Sequence, residues 1–145
     1  MNLQHYFTLG NSGLRVSRLA LGTMTFGTDW GWGADKETAR RLFDIYVDAG
    51  GNVVDTADLY TNGNSETWVG EFVRERALRD KMVIATKFSY SADPSNPNAG
   101  GNGRKNILRA VEGSLRRLGT DYIDLYPPAY LGHADVGRRG DAYLR

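Results

Sequence analysis

No cysteine occurs in this chain, which excludes disulfide bonds and thiolate chemistry. We therefore expect a cytoplasmic protein, because disulfides are rare in that compartment. Acidic and basic residues nearly balance and leave a net charge of +1, so charge does not favour nucleic acid or a membrane surface as a partner. No apolar run approaches the roughly 20 residues that cross a bilayer. Residues 1–7 also lack the basic start and apolar core of a secretory signal.

What the sequence does contain is an alternation of short β-branched runs and helical apolar patterns. Glycine, asparagine and proline mark the turns between them. The predicted elements, in chain order, are a hairpin at 6–18, a strand at 19–21, a helix capped by Asp35 that ends at Gly50-Gly51, a strand at 52–55, a helix capped by Ser65, a strand at 82–87, a loop at 89–103, a helix at 104–118 and a strand at 122–126.

Each predicted helix has an apolar stripe that should face a sheet. Strands that alternate with helices in this way are parallel, with right-handed crossovers. Two architectures fit a single α/β domain of this kind, a doubly wound open sheet or part of a (β/α)8 barrel. The stripes consist of Leu42, Phe43, Tyr46 and Val47 in the first helix, Val69, Phe72, Val73 and Ala77 in the second, and Ile107, Leu108, Val111, Leu115 and Leu118 in the third.

Polar residues follow two of the predicted strands where each apolar run ends. Asp55 ends one strand, and a carboxylate there is costly to bury unless a cation or a donor meets it. Lys87 ends another, and equivalent ends of neighbouring parallel strands would bring the two charges together. Tyr60 lies in the loop beyond Asp55. We therefore expect Asp55, Tyr60 and Lys87 to converge at one edge of the sheet.

Several motifs, taken in order, resemble those of the aldo-keto reductases. The central one is Asp55-Thr56-Ala57-x-x-Tyr60 followed by Ser65-Glu66-x-x-Val69-Gly70. The resemblance covers roughly residues 6–126. The family fold is a (β/α)8 TIM barrel closed at the bottom by an N-terminal hairpin, so the resemblance favours the N-terminal half of such a barrel, roughly (β/α)3 plus a fourth strand. The other motifs are Leu21-Gly22-Thr23-Met24, Ile84-Ala85-Thr86-Lys87, Gly103-Arg104-Lys105 and residues 115–126.

The resemblance also implies the chemistry. Aldo-keto reductases transfer a hydride between NADPH and a small aldehyde or ketone, using an Asp, a Tyr, a Lys and a His and no metal. By resemblance Asp55, Tyr60 and Lys87 take the first three roles, with Tyr60 as the proton donor. A cation beside a phenol stabilises the phenolate, and barrel enzymes place such groups at the carboxyl ends of strands. The resemblance assigns the cofactor to Gly22, Thr23, Met24 and Asp55.

Each of these residues also has a purely structural interpretation. Asp55 suits a turn, a lysine at a strand end is usually solvated, and a lone tyrosine is usually half-buried. The corresponding alternative is an unrelated α/β binding module that uses all three residues structurally. Trp30 and Trp32 either line a substrate mouth or stand exposed in a turn. The glycines at 100–103 do not make a phosphate loop, because no strand precedes them and the Gly-Lys-Ser/Thr ending is missing.

The chain departs from the family pattern after Tyr126, where the family has two apolar residues and then the catalytic His. Ala129 stands at the His position, and His133 comes four residues late. Pro127-Pro128 would interrupt a strand ladder. Codons for residues 127–133, read one base later, permit Leu-Leu-His-x-Trp-Asp in the expected place. We therefore predict a partial barrel over 1–126 and hypothesise a frame-shifted tail over 127–145, which the nucleotide sequence of the gene would test.

The number of strands has a further consequence. Four parallel strands cannot close a barrel that needs eight, and the last of them leaves an open edge. In the family, the NADPH phosphates are held mostly by the second half of the barrel. We therefore expect a truncated chain that binds NADPH weakly or not at all, has negligible reductase activity, and can self-associate through the open edge.

Overall fold

The computed structural model of the protein describes residues 2–91, 93 and 95–130. It opens with an antiparallel hairpin of β1 (Tyr6–Thr8) and β2 (Arg15–Ser17), which confirms the predicted hairpin. The Ser17 amide donates a hydrogen bond of 2.7 Å to Asn52 Oδ1. Because Asn52 precedes the central strand, the hairpin lies at the amino end of the sheet.

Three short parallel strands form that sheet, in the order β3 (Leu21–Gly22), β4 (Val53–Asp55) and β5 (Val83–Ala85). β5 is shorter than the predicted strand at 82–87, and β3 begins at the last residue of the predicted strand at 19–21. The register pairs Gly22 with Asp55 and Asp55 with Ala85. The three strands therefore end at one level, and the residues that follow them meet at the same edge.

The described residues include three α-helices: α1 (Lys36–Asp48) and α2 (Asn64–Glu75), which connect the strands, and α3 (Arg104–Leu118), which follows β5. Helix α1 begins as predicted, because Asp35 accepts a hydrogen bond of 2.8 Å from the Thr38 amide. Helix α3 has the predicted bounds and ends at a glycine in the left-handed conformation. None of the helices in the described ranges combines the length and apolarity that crossing a membrane requires.

The hydrophobic core lies between the sheet and the helices. Val54 of β4 and Ile84 of β5 are almost completely buried there, in one cluster with Phe43, Val69 and Phe72. The rings of Phe43 and Phe72 have centroids 5.6 Å apart. Burying a side chain of this size stabilises the fold by roughly 1.5–3 kcal/mol. This layer therefore stabilises strands that are too short to be held by their own hydrogen bonds.

Helices α2 and α3 pack closely because Gly70 has no side chain. A Cβ atom at Gly70 would lie 2.1 Å from the carbonyl oxygen of Leu118. The buried face of α3 accordingly consists mostly of small residues, and the predicted stripe turns partly outwards: Leu108, predicted inside, is 48% exposed. The buried residues of α3 are Asn106, Ala110, Gly113, Ser114 and Leu118.

Three other local predictions are wrong. Leu42 is exposed, because the buried face of α1 is formed by Ala39 and by the correctly predicted Phe43 and Tyr46. Ala77 lies beyond the end of α2, with a φ of 51° that no right-handed helix accommodates. Ser65 does not cap α2, since Gly63 occupies that position and the Ser65 hydroxyl is buried. A buried hydrogen-bond partner decides the role of Ser65, and sequence pattern does not reveal that partner.

The fourth predicted strand, at 122–126, comes after α3 and lies beside β5 without forming a regular ladder. Only two isolated parallel bridges occur, between Ala85 and Leu125 and between Phe88 and Pro128. Proline has no amide hydrogen, so the next residue, Ala129, donates to the Phe88 carbonyl oxygen at 2.7 Å. The segment therefore runs beside β5 and continues past both prolines.

The side chain of Arg79 joins this segment to the sheet. Its guanidinium donates to Thr120 Oγ1 at 2.9 Å, to the Met82 carbonyl oxygen at 3.1 Å and to the Tyr122 carbonyl oxygen at 2.9 Å. It also forms an ion pair of 2.8 Å with Asp124. Side-chain hydrogen bonds thus supplement the sparse backbone hydrogen bonds in this part of the sheet.

Candidate active site

Asp55 and Lys87 meet at the carboxyl edge of the sheet. Lys87 Nζ donates to Asp55 Oδ1 at 2.6 Å and to the Thr56 carbonyl oxygen at 2.8 Å. The level ends of β4 and β5 bring the two side chains together. The Lys87 side chain is 19% exposed and that of Asp55 is 45% exposed. The ammonium group is therefore held in place, and the carboxylate still borders solvent.

Tyr60 begins the tight turn Tyr60–Gly63 directly beyond this pair. Lys87 Nζ lies 5.4 Å from the centroid of the Tyr60 ring, within the range of a cation–π contact. The Trp30 ring meets the Tyr60 ring edge-on, with centroids 6.5 Å apart. No residue in the described part of the chain forms a hydrogen bond with the Tyr60 hydroxyl.

Three buried hydroxyl groups form a hydrogen-bond network next to Asp55. The Thr23 amide and hydroxyl both donate to the Asp55 carbonyl oxygen, at 3.0 and 3.2 Å. The Ser65 hydroxyl lies 2.8 Å from Thr23 Oγ1 and 3.0 Å from Thr56 Oγ1. Thr23, Thr56 and Ser65 are completely buried. This network fixes the end of β4 against the first turn of α2.

The residues that the resemblance assigns to the cofactor differ in their exposure. Met24 is 45% exposed, and a Cβ atom at Gly22 would meet nothing within 4 Å. Gly22 pairs with Asp55 in the register of the sheet, so these two residues lie at the same edge. Thr23 differs, since its side chain is buried and its hydroxyl is already bound within the chain. Within the described ranges, no group of three or more side chains suits a metal ion.

A buried carboxylate lies behind Lys87. Glu66 is completely buried, accepts a hydrogen bond of 2.6 Å from Thr86 Oγ1 and pairs with Arg117 Nε at 2.6 Å. A carboxylate without water requires partners of this kind. Because Thr86 directly precedes Lys87, the hydrogen bond fixes the strand end that presents the ammonium group.

Two titratable groups near this network have raised pKa values. Burial and, secondarily, the charge of Glu66 raise the pKa of Asp58 to about 6. Burial, together with the charge of Asp58, raises the pKa of Tyr126 above its ordinary value. The Tyr126 hydroxyl is buried beside the Ser114 side chain. Asp58 is linked to the site through its amide, which donates to the Lys87 carbonyl oxygen at 3.0 Å.

Comparison with known families identifies the family of this chain. The profile of the Aldo/keto reductase family matches residues 18–133, which include Asp55, Tyr60 and Lys87. The chain belongs to the aldo-keto reductase family. The predicted family is thereby confirmed, and the family consists of oxidoreductases that use a nicotinamide cofactor.

Individual aldo-keto reductases are similar over most of this chain. Norsolorinic acid reductase stcV of Emericella nidulans is 45% identical over 122 residues, which are 79% of this chain and 32% of that protein. Putative aryl-alcohol dehydrogenase AAD6 of Saccharomyces cerevisiae is 41% identical over 124 residues, which are 79% of this chain and 58% of that protein. The solved structure of aldo-keto reductase AKR11C1 from Bacillus halodurans, in its holo form, superposes with a TM-score of 0.73 at 38% identity, covering 86% of this chain and 40% of that one.

The chain spans about a third of the first of these relatives and less than half of the solved reductase. The solved reductases are TIM barrels, and the parallel strands and helices of this chain form part of such a barrel. This confirms the predicted half-barrel and rules out the doubly wound sheet. The family match extends to residue 133, past Tyr126 and into the predicted tail.

Two features of the site were not evident from sequence. Thr61, the residue after Tyr60, is completely buried and hydrogen-bonded to another loop, although it reads as an ordinary turn residue. Glu66 reads as a favourable charge in a first helical turn, yet it is a buried ion-pair partner. Its spacing from Arg117 gave no local signal, because the pairing depends on how α2 meets α3.

His133, which comes four residues after the position of the family's catalytic His, lies outside the described residues.

Proposed function

We propose that this aldo-keto reductase chain provides the proton-donor side of an NADPH-dependent reduction of aldehydes or ketones. The observation that supports the proposal is the convergence of Asp55, Tyr60 and Lys87 at the carboxyl edge of a parallel sheet. Barrel enzymes place their reacting groups at this edge. The reverse oxidation would use the same groups in the opposite direction.

Each of the three residues has a distinct role in this proposal. Tyr60 donates its hydroxyl proton to the substrate carbonyl oxygen as the hydride reaches the carbon. Lys87 supplies a positive charge beside the phenol, which stabilises the negative charge that develops there. Asp55 holds Lys87 by the hydrogen bond of 2.6 Å. The bond from Lys87 to the Thr56 carbonyl oxygen limits the remaining freedom of the ammonium group.

The proposed cofactor site lies beside this group. Gly22, Met24 and Asp55 border the open edge on which the nicotinamide ring of NADPH would lie, and when bound NADPH supplies the hydride. The buried Thr23 would contribute indirectly, because its hydroxyl group donates to the Asp55 carbonyl oxygen and fixes that residue. The absence of cysteine supports the further proposal that the protein is cytoplasmic.

The substrate proposed for this chain is a small carbonyl compound. Trp30 and Trp32 form an aromatic pair with centroids 5.5 Å apart, and Trp30 contacts Tyr60. Trp32 is half exposed. An aromatic wall beside the proton donor suits a substrate with a flat apolar part. The names of the relatives, which include an aryl-alcohol dehydrogenase and a reductase of norsolorinic acid, are compatible with this proposal.

A second candidate is a catalytically inactive barrel fragment. Ala129 stands where the family pattern has its catalytic His, and its methyl group can neither donate nor accept a hydrogen bond. The segment beyond β5 pairs only through two isolated bridges, so the described sheet has an open edge. Such a chain would bind NADPH weakly and self-associate through that edge.

Kinetics and binding separate the two candidates. The 145-residue chain would be titrated with NADPH by fluorescence and assayed for aldehyde-dependent oxidation of NADPH. Turnover that Tyr60→Phe abolishes and the exposed control Tyr90→Phe retains would establish the reductase. No turnover and no micromolar binding would establish the inactive fragment. Turnover that survives Tyr60→Phe would refute the role of Tyr60.

A further inference from the structure

Thr61 has a backbone conformation that threonine rarely adopts. Its φ and ψ are both 47°, in the left-handed region, where a β-branched residue is an outlier. The residue is completely buried, and Asn62 after it also has a positive φ, of 57°. Strain of this kind persists only where surrounding contacts enforce it, and it occurs preferentially at active sites.

Two contacts enforce this conformation, and both come from the loop after β3. Thr61 Oγ1 donates to the Phe26 carbonyl oxygen at 2.7 Å. Gly27 lies so near that a Cβ atom there would be 2.7 Å from Thr61 Cβ. The same loop contains Trp30, whose ring meets the Tyr60 ring. The loop after β3 therefore contacts the turn at two neighbouring residues. Trp30 meets the Tyr60 ring, and Phe26 accepts the hydrogen bond from Thr61.

We propose that Thr61 is a positioning residue for Tyr60. Its hydroxyl bond to Phe26 fixes the turn against the loop after β3, and this fixed placement of the turn keeps the Tyr60 ring beside Lys87. The inference rests on the proposed role of Tyr60 as proton donor, but its test does not involve catalysis. It adds a fourth residue to the site, one that acts only through its neighbour.

The choice of threonine supports this inference. Glycine or asparagine would adopt the same conformation with little strain, as expected of a residue that only has to turn the chain. Glycine has no hydroxyl to donate to Phe26, and it would leave space where the threonine methyl group now meets Gly27. Threonine at this buried position therefore costs backbone strain, and its hydroxyl provides a fixed link between the two loops.

Solution NMR of the isotopically labelled 145-residue chain tests this. The readout is the nuclear Overhauser cross peak between the Tyr60 and Trp30 rings, with Tyr60→Phe used for assignment. Thr61→Val keeps the shape but removes the hydroxyl donor, and Thr61→Ser keeps the donor. We expect Thr61→Val to reduce the cross peak at least twofold and Thr61→Ser to retain it. Exchange of the Asn62 amide hydrogen should become roughly tenfold faster in Thr61→Val.

Two further variants distinguish a specific loss of the cross peak from a general loss of folding. Thr120→Val is the matched control, because the Thr120 hydroxyl also donates to a carbonyl oxygen, that of Tyr122 at 3.3 Å, outside the turn that contains Tyr60. It should leave the cross peak unchanged. Thr61→Gly relieves the strain and removes the hydroxyl, so it should fold and still lose the cross peak. If Thr61→Gly or a folded Thr61→Val keeps the cross peak at its original intensity, Thr61 does not position Tyr60. Because no cofactor or carbonyl compound is present, an inactive chain tests the inference equally well.

Discussion

The Nε atom of Arg117 in α3 lies 2.6 Å from the Oε2 atom of Glu66 in α2, and Glu66 is completely buried. The other carboxylate oxygen accepts a hydrogen bond from Thr86, next to Lys87. One ion pair therefore connects both helices to the strand end that bears the proposed active-site lysine. Removing one partner would leave an uncompensated charge inside the protein.

Arg117→Ala should accordingly destabilise the fold by about 3 kcal/mol, because the Glu66 carboxylate stays buried without its cation. Denaturation with urea would measure the loss. Arg116→Ala changes the exposed neighbouring residue and should alter stability by less than about 0.5 kcal/mol. The double variant Glu66→Gln with Arg117→Met should recover part of the loss, since no buried charge remains. Equal losses in Arg117→Ala and Arg116→Ala would contradict the assignment.

Asp58 should make stability depend on pH. Burial raises its pKa to about 6 in the folded state, against roughly 3.9 in an unfolded chain. The folded state therefore binds the proton more tightly, and this contribution is fully present below pH 4 and is lost as pH rises through 6. Asp58 is partly exposed, so solvent screening limits the effect to about 1 kcal/mol. Asp58→Asn should thus become more stable relative to the original chain as pH rises from 4.5 to 7.5. Urea denaturation at each pH would measure the difference. The exposed control Asp80→Asn should show no such trend.

Arg79→Ala should release the segment after α3. The substitution removes three hydrogen bonds and leaves Asp124, whose side chain is 16% exposed, without its cation. We expect a loss of about 3 kcal/mol. Amide hydrogen exchange should accelerate most at Asp124 and Leu125, which donate to the Ile84 carbonyl oxygen. Arg74→Ala, in the last turn of α2, is the control. Uniform acceleration across the chain would show that Arg79 acts on the whole fold and not on this segment.

Gly70→Ala should be destabilising although alanine favours helices. The added Cβ atom would lie 2.1 Å from the Leu118 carbonyl oxygen, so the two helices would have to separate. We expect a net loss of about 2 kcal/mol, the overpacking cost being larger than the gain in helix propensity. Gly113→Ala is the matched control in α3, because its Cβ atom would lie 3.1 Å from the nearest atom, in the Arg117 side chain, and would meet no backbone atom. Its thermal midpoint should change little, and equal shifts in both variants would count against close packing at Gly70.

Sequence pattern sufficed for the parts of this fold that depend on local signals. The cap at Asp35 and the bounds of α3 follow from short-range rules, and the structure confirms both. The pairing of Asp55 with Lys87 was also predictable, because it needs only two neighbouring parallel strands that end at the same level.

The errors concern residues whose surroundings are set by tertiary contacts. Leu108 fits an amphipathic stripe, but close packing at Gly70 brings the small residues of α3 inwards and turns Leu108 towards solvent. Ser65 has the right chemistry for a helix cap, and only the position of Thr23 explains why its hydroxyl is used elsewhere. Segment 122–126 has a strand pattern, yet it is held by isolated bridges and by the side chain of Arg79.

The pairing of Gly22, Asp55 and Ala85 at one level has a consequence for variation in chain length. Side chains alternate between the two faces of a strand, so one residue inserted within Val53–Asp55 would exchange the faces and direct the Asp55 carboxylate towards the helices. Length changes in the loop at 89–103 would not alter that alternation. Homologous chains should therefore vary freely in the long loop and keep a constant residue count within β4, from Val53 to Asp55.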